Sequence, residues 1–113
     1  MTLPDNYAQK ALFADPETLY SQATDQVSAD LNGDMAILNL QTKTYFGLAD
    51  VGAFIWKKLE TPTDFASLTQ AVVAEFEVTT DRCSQDVTAF LEKLASLGLL
   101  KLRTAPNKNF KFL

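Results

Sequence analysis

The chain of 113 residues, 47% hydrophobic and 21% charged, suffices for one small domain with a modest core and leaves little room for a deep substrate cavity. It holds no histidine and a single cysteine, Cys83, which removes histidine-based metal sites, Ser-His-Asp and Cys-His chemistry and any internal disulfide. Its net charge of −4 is uneven: residues 26–100 carry ten acids against five Lys/Arg, whereas 101–113 carry Lys101, Arg103, Lys108 and Lys111 with no acid. An acidic body is a poor partner for phosphates, so nucleic acid is not an expected ligand, and the basic tail reads as a solvated end. No apolar run reaches the ~18 residues of a membrane span, and "MTLPDNYAQKALFADPE" lacks the basic start and apolar block of a signal peptide. Together with the lone cysteine these features lead to an expected cytoplasmic location without membrane contact.

Residues 1–24 hold two prolines and little periodicity, and are expected to form a loosely ordered arm, with room for a short helix after Asp15-Pro16. From Asp25 the pattern sharpens. In "DQVSADLNGDMAILNL" the pair Asn32-Gly33 separates two alternating runs, the strongest short-range hairpin signal, because both residues accept positive φ. A two-residue turn sets Leu31 opposite Asp34, Ala29 opposite Ala36 and Val27 opposite Leu38. One face then collects Val27, Ala29, Leu31, Ala36, Leu38 and Leu40 and reads as the core face. The other holds Ser28, Asp30 and Asn39 with Met35 and Ile37, and is only partly apolar.

A second turn at Gln41-Thr42-Lys43 leads into "TYFGL". A three-residue loop puts Thr44, Phe46 and Leu48 on the core face, whereas a loop of two or four puts Tyr45 and Gly47 there. The three-residue loop is preferred, with Lys43 in its left-handed position. Three helices follow. The first shows Val51, Phe54, Ile55 and Leu59 at helical spacing, and the second is capped by Thr63 or Asp64 with a stripe of Phe65, Leu68, Val72 and Phe76. The third opens at Thr79 or Thr80, lines Cys83, Val87, Phe90, Leu91, Leu94 and Leu97 on one side, and stops at Gly98. "LLKL" beyond it reads as a short strand or an extended tail. The expected fold is therefore α+β, a three-stranded antiparallel sheet followed by three helices covering one face, in a winged-helix-like order. Consecutive hairpins leave the first and last strands as edges.

The stretch "DQVSADLNGDMAILNLQTKTYFGLADVGAFIWKKLETPTDFASLTQAVVAEFEV" resembles the PqqD family of peptide chaperones, also called RiPP recognition elements. The pattern "LNLxTxxYFGLxxVGAFIW" carries most of the likeness, and "EFEVTTDRCSQDVTAFLEKLASLGLL" matches the family's final helix. The likeness covers residues 25–102, leaving the arm and the basic tail 103–113 outside it. The family commonly has Gly in the second hairpin turn, where this chain has Lys43. The resemblance implies a non-catalytic protein without cofactor. It would hold the leader segment of a ribosomally made precursor peptide and present it to a modifying enzyme, either a leader peptidase or a radical S-adenosylmethionine enzyme. "DQVSADLNGDMAILNL" looks nearer the lasso-type and general members than the PQQ type.

The family's mode is addition of the leader as a strand beside the third strand, in a groove closed by the third helix. Carried onto this chain, the edge is Thr44, Tyr45, Phe46, Gly47 and Leu48, and the groove wall draws on Cys83, Asp86, Val87, Phe90 and Leu91. An unpaired edge suits that role, because it offers free N–H and C=O groups, and Gly47 leaves space for a second backbone. The plainer reading makes Phe90, Leu91 and Leu94 core residues, Cys83 a small buried hydrophobe and Asp86 a solvated carboxylate, where the functional reading pairs Asp86 with a basic leader side chain. A winged-helix DNA-binding regulator is the alternative. It is opposed by the third helix, where Asp81, Asp86 and Glu92 outnumber Arg82 and Lys93. Catalysis has no candidate nucleophile beside a base.

Overall fold

The computed structural model describes residues 16–103, so the expectations for residues 1–15 and 104–113 lie outside the described residues. Among the described residues six strands and three helices follow in the order β1 (Leu19–Gln22), β2 (Gln26–Leu31), β3 (Asp34–Asn39), β4 (Thr44–Leu48), α1 (Asp50–Lys58), β5 (Thr63–Asp64), α2 (Phe65–Glu75), α3 (Thr80–Ser96) and β6 (Leu100–Arg103). They form an antiparallel meander β2-β3-β4 and a second small sheet of order β5-β1-β6. The meander with three helices is the α+β arrangement expected. The second sheet is not.

Asn32 and Gly33 take φ of 59° and 102°, as a tight two-residue turn requires, and the register is Leu31↔Asp34, Ala29↔Ala36 and Val27↔Leu38. The second turn differs from the preferred reading. It is a four-residue loop, Leu40 to Lys43, with Asn39 opposite Thr44 and Leu38 opposite Tyr45. The cause is Asn39, whose side-chain oxygen accepts the N–H groups of Gln41 and Thr42 while its backbone carbonyl accepts that of Lys43. An asparagine that organises its own turn overrides loop-length preference. Lys43 does sit in the left-handed region, at φ 61°.

The core lies under the opposite face of the sheet from the one expected. Met35, Ile37 and Asn39 are buried, whereas Val27, Leu31 and Tyr45 are 56%, 59% and 75% exposed. The two departures cancel at β4: Thr44, Phe46 and Leu48 share the inner face after all, and Tyr45 and Gly47 face outward. The inner face carries the polar groups that fasten the helices to it. Trp56 Nε1 donates to Ser28 Oγ at 3.0 Å, Lys57 Nζ lies 2.9 Å from Asp30, and Asn39 Nδ2 donates to the Leu97 carbonyl at 2.9 Å.

The helices begin and end where side-chain chemistry dictates. Asp64 caps α2 by accepting the Ser67 N–H, and Thr79 caps α3 by accepting that of Arg82. At the end of α3, Gly98 turns left-handed at φ 72° while Leu99 N–H returns to the Leu94 carbonyl, so the chain reverses cleanly into β6. Between β4 and α1, Asp50 takes φ 52°, a conformation aspartate tolerates better than most residues. The expected stripes pack as a single cluster around fully buried Trp56, Leu59, Leu68, Leu91 and Leu94. Within the stretch expected to be loosely ordered, residues 19–22 form β1, which pairs with both β6 and β5 and buries Tyr20.

Candidate functional site

Among the described residues β4 is an edge strand, and the ladder decides which of its backbone groups are free of partners there. In an antiparallel strand each residue points its N–H and C=O to the same side, alternating along the chain. Leu40 N–H bonds the Asp25 carbonyl, so Leu40, Leu38, Ala36 and Asp34 face β2. Asn39, Ile37 and Met35 therefore serve β4, through Thr44, Phe46 and Leu48. The N–H and C=O groups of Tyr45 and Gly47 are left pointing at the open edge.

That edge faces α3 across a cleft of about 480 Å³, bounded on the sheet side by Ile37, Phe46, Gly47 and Leu48 and on the helix side by Ala89, Phe90, Lys93, Leu94 and Leu97. The cleft continues toward the second turn as a more polar space of about 410 Å³, with Thr44, Gln41, Thr42 and Ser96 among its walls; Phe46 and Leu97 border both parts. The hydrogen bond from Asn39 to Leu97 ties the turn to the end of α3 and sets the separation there. A strand placed beside β4 at the usual spacing of ~4.8 Å would send alternate side chains into this cleft and the others onto the outer face beside Tyr45.

The residues named from sequence divide among three places. Thr44, Phe46 and Leu48 lie on the cleft side of β4, and Tyr45 and Gly47 carry the free backbone groups. A Cβ added at Gly47 would meet nothing within 4 Å, so the fold itself makes no demand for glycine there. On α3, Phe90 borders the cleft. Cys83, Asp86 and Val87 border a separate, smaller cavity toward α1 and α2, and Leu91 is fully buried in the core. Burial pushes the Cys83 thiol up, with the Asp86 carboxylate adding to the effect, and Sγ lies 3.7 Å from the Thr69 carbonyl. Asp86 is exposed and paired with Arg82 at 3.4 Å. The helix side of the cleft thus runs about one turn further along α3 than the sequence set, through Ala89, Lys93, Leu94 and Leu97. Spacing of three and four residues onward from Phe90 was the available signal. Among the described residues no group of three or more His, Cys, Asp or Glu side chains is arranged to hold a metal, and no helix is long and apolar enough to cross a membrane.

Comparison with known proteins agrees with this geometry. Residues 34–100 match the family model described as Coenzyme PQQ synthesis protein D (PqqD). Among solved structures, the chain is similar to TbiB1 in complex with the TbiA(beta) leader peptide, with 36% identity and a TM-score of 0.69 over 72% of this chain and 94% of that one. It is also similar in fold to lasso peptide synthetase B1 complexed with the leader peptide, at 22% identity and a TM-score of 0.66, covering 73% of this chain and 96% of that one. No curated protein matches it. An edge strand with free backbone groups over a helix-walled cleft, and a family model spanning most of the described residues, lead to one conclusion: the chain belongs to the PqqD family.

Proposed function

We propose that this protein binds the leader segment of a ribosomally synthesised precursor peptide as a fourth strand beside β4, and presents it to a modifying enzyme in natural-product biosynthesis. The observation that carries the reading is the pair of unpaired backbone units at Tyr45 and Gly47, opening onto the cleft under α3. Main-chain pairing supplies affinity, and the apolar and polar halves of the cleft select alternate side chains. The similarity to TbiB1, solved with a leader peptide, supports the same ligand class here. The chain's own role is binding rather than catalysis.

The outer sheet face supports the second partner. Val27, Ala29, Leu31, Ala36, Leu38, Leu40 and Tyr45 carry no charge and stand at least partly exposed. A contiguous apolar surface of this kind marks a protein contact. An added strand beside β4 widens the same face by one strand, so the enzyme would meet protein and peptide together. A leader peptidase or a radical S-adenosylmethionine enzyme fits this role, and the likeness to lasso-type members favours the peptidase.

Titration calorimetry with the leader half and the core half of the precursor, used separately, tests the reading. The leader alone should bind with a Kd of about 1 μM or tighter, near −8 kcal/mol. Binding of the core half only, or of neither, overturns it. Duplex DNA should bind weakly and without sequence preference, because α3 presents the exposed Asp81 and Asp86 and the half-buried Glu92; tight specific binding at ~150 mM salt would restore the regulator reading.

A further inference from the structure

β4 is one edge of the β2-β3-β4 sheet, and among the described residues β2 is the other. The alternation that frees Tyr45 and Gly47 applies to it as well. Val27, Ala29 and Leu31 turn their N–H and C=O groups to β3, opposite Leu38, Ala36 and Asp34, so those of Gln26, Ser28 and Asp30 point away from the sheet. Such an edge is ordinarily guarded by a proline, a lysine or a bulge. β2 has neither proline nor lysine, and its six pairs with β3 run without a bulge. Its one charge, Asp30, is already engaged, 2.9 Å from Lys57 Nζ of the same chain.

The surroundings narrow what this edge fits. None of the three cavities described above borders β2. On the inner side Ser28 and Asp30 are bonded to Trp56 and Lys57, so an added peptide finds no pocket there to select its alternate side chains. Recognition falls to the edge itself, and a two-fold axis through Ser28 makes β2 its own match. Antiparallel pairing about that axis sets Gln26 opposite Asp30 of a second copy and Ser28 opposite Ser28, the register in which every free unit meets another. No acid stands opposite an acid. On the outer face Val27, 56% exposed, lies against Ala29 of the second copy.

We propose that β2 is a self-association edge: two copies pair through it about a two-fold axis at Ser28, and their meanders join into one continuous sheet. β4 then stands at both ends of that sheet with Tyr45 and Gly47 free, and the two outer apolar faces lie side by side. The dimer holds two leaders at once and offers the enzyme a wider surface. The association itself does not depend on leader binding.

Cross-linking tests the register. Val27 and Ala29 of opposite copies form a non-hydrogen-bonded pair with Cα atoms ~4.5 Å apart, inside the ~4.4–6.8 Å range of a disulfide. Val27→Cys mixed with Ala29→Cys and oxidised with diamide should yield mainly the mixed linked dimer, identified by mass, while Cys83, only 2% exposed, stays reduced. In sedimentation equilibrium at about 100 μM, above the micromolar range of weak interfaces, wild type should approach twice its 12.5 kDa. Val27→Lys sets two ammonium-bearing residues ~7–8 Å apart across the axis and should weaken the dimer by about tenfold or more, with the melting temperature of the monomer kept. Saturating leader should leave the doubled mass in place and add two peptides to it. A wild-type monomer at that concentration refutes the proposal. Dissociation driven by leader refutes it too, because the interface would then be β4, and a dimer whose mixed cysteine pair fails to link refutes this edge and register. If no leader binds, strand addition falls, while the mass and the cross-link still decide self-association.

Discussion

The two faces of the β2-β3-β4 sheet invert the usual relation between composition and burial. The outer face is the more apolar by sequence, yet it is the one left in water. The inner face includes Ser28, Asp30 and Asn39, yet it carries the core residues Met35 and Ile37. The difference lies in attachment. The polar inner residues hold the helices in place through Trp56, Lys57 and the Leu97 carbonyl, and three helices suffice to cover one face only. The outer face, which the described residues leave uncovered, is the surface proposed above for the partner enzyme.

The largest effects should separate the faces. Ile37→Ala removes a fully buried side chain and should cost about 2–5 kcal/mol in urea unfolding. Leu31→Ser on the outer face should change stability by no more than ~0.5 kcal/mol while reducing processing of the precursor by its enzyme. Equal destabilisation by both variants would mean that the outer face is not free.

The edge can be divided in the same way, one residue at a time. Phe46→Pro removes an N–H that serves β3 and should damage folding. Tyr45→Pro and Gly47→Pro remove N–H groups that face the open edge. Their melting temperatures should stay near wild type, with leader binding weaker by about 1–3 kcal/mol. Leader affinity unchanged in both folded proline variants would show that the peptide docks elsewhere. Asn39→Ala tests the hinge between the faces. It deprives Gln41, Thr42 and the Leu97 carbonyl of their partner and should cost about 1–3 kcal/mol in stability. Because it also frees one end of the cleft, calorimetry should show a loss of leader affinity in the folded fraction.

The smallest effect is a titration on the inner face. The Lys57 ammonium, first, and the Gly33 N–H, second, hold the Asp30 carboxyl below its ordinary value of 3.8. A carboxyl depressed in the folded state adds stability above its unfolded value and loses it as pH falls through the folded one. Unfolding followed from pH 5 to pH 2 should therefore show an acid-side loss that is smaller in Asp30→Asn. The pair is exposed, so the difference should be slight, and an identical acid limb in both proteins would remove the Asp30–Lys57 bridge as a fastener.

Much of this was legible in the residues, and the reason is locality. Asn32-Gly33 determines its turn and the β2–β3 register because two adjacent residues suffice for the geometry. Helical spacing located α1, α2 and α3, and the starts of α2 and α3 were narrowed to Thr63 or Asp64 and Thr79 or Thr80, of which Asp64 and Thr79 are the caps, with Gly98 as the stop, since each cap bonds within its own few residues. The existence of β4 as the last strand of the meander, and hence as an edge, followed from counting hairpins. The family likeness added the use to which such an edge is put.

Which face of the sheet is buried was not legible. Alternation assigns residues to two faces but does not say where helices will land, and the deciding contacts join residues 28 to 58 positions apart. The same limit hid β1, whose partners in β6 are some 80 residues distant in the chain. Asn39 shows the boundary most sharply: its side chain reorganises the neighbouring turn, which is local, and clamps α3, which is not. The cleft belongs to the second kind. Sequence supplied the strand and the helix, but the space between them exists only after non-local packing has set their distance, and packing responds to shapes that a period of two or 3.6 does not encode.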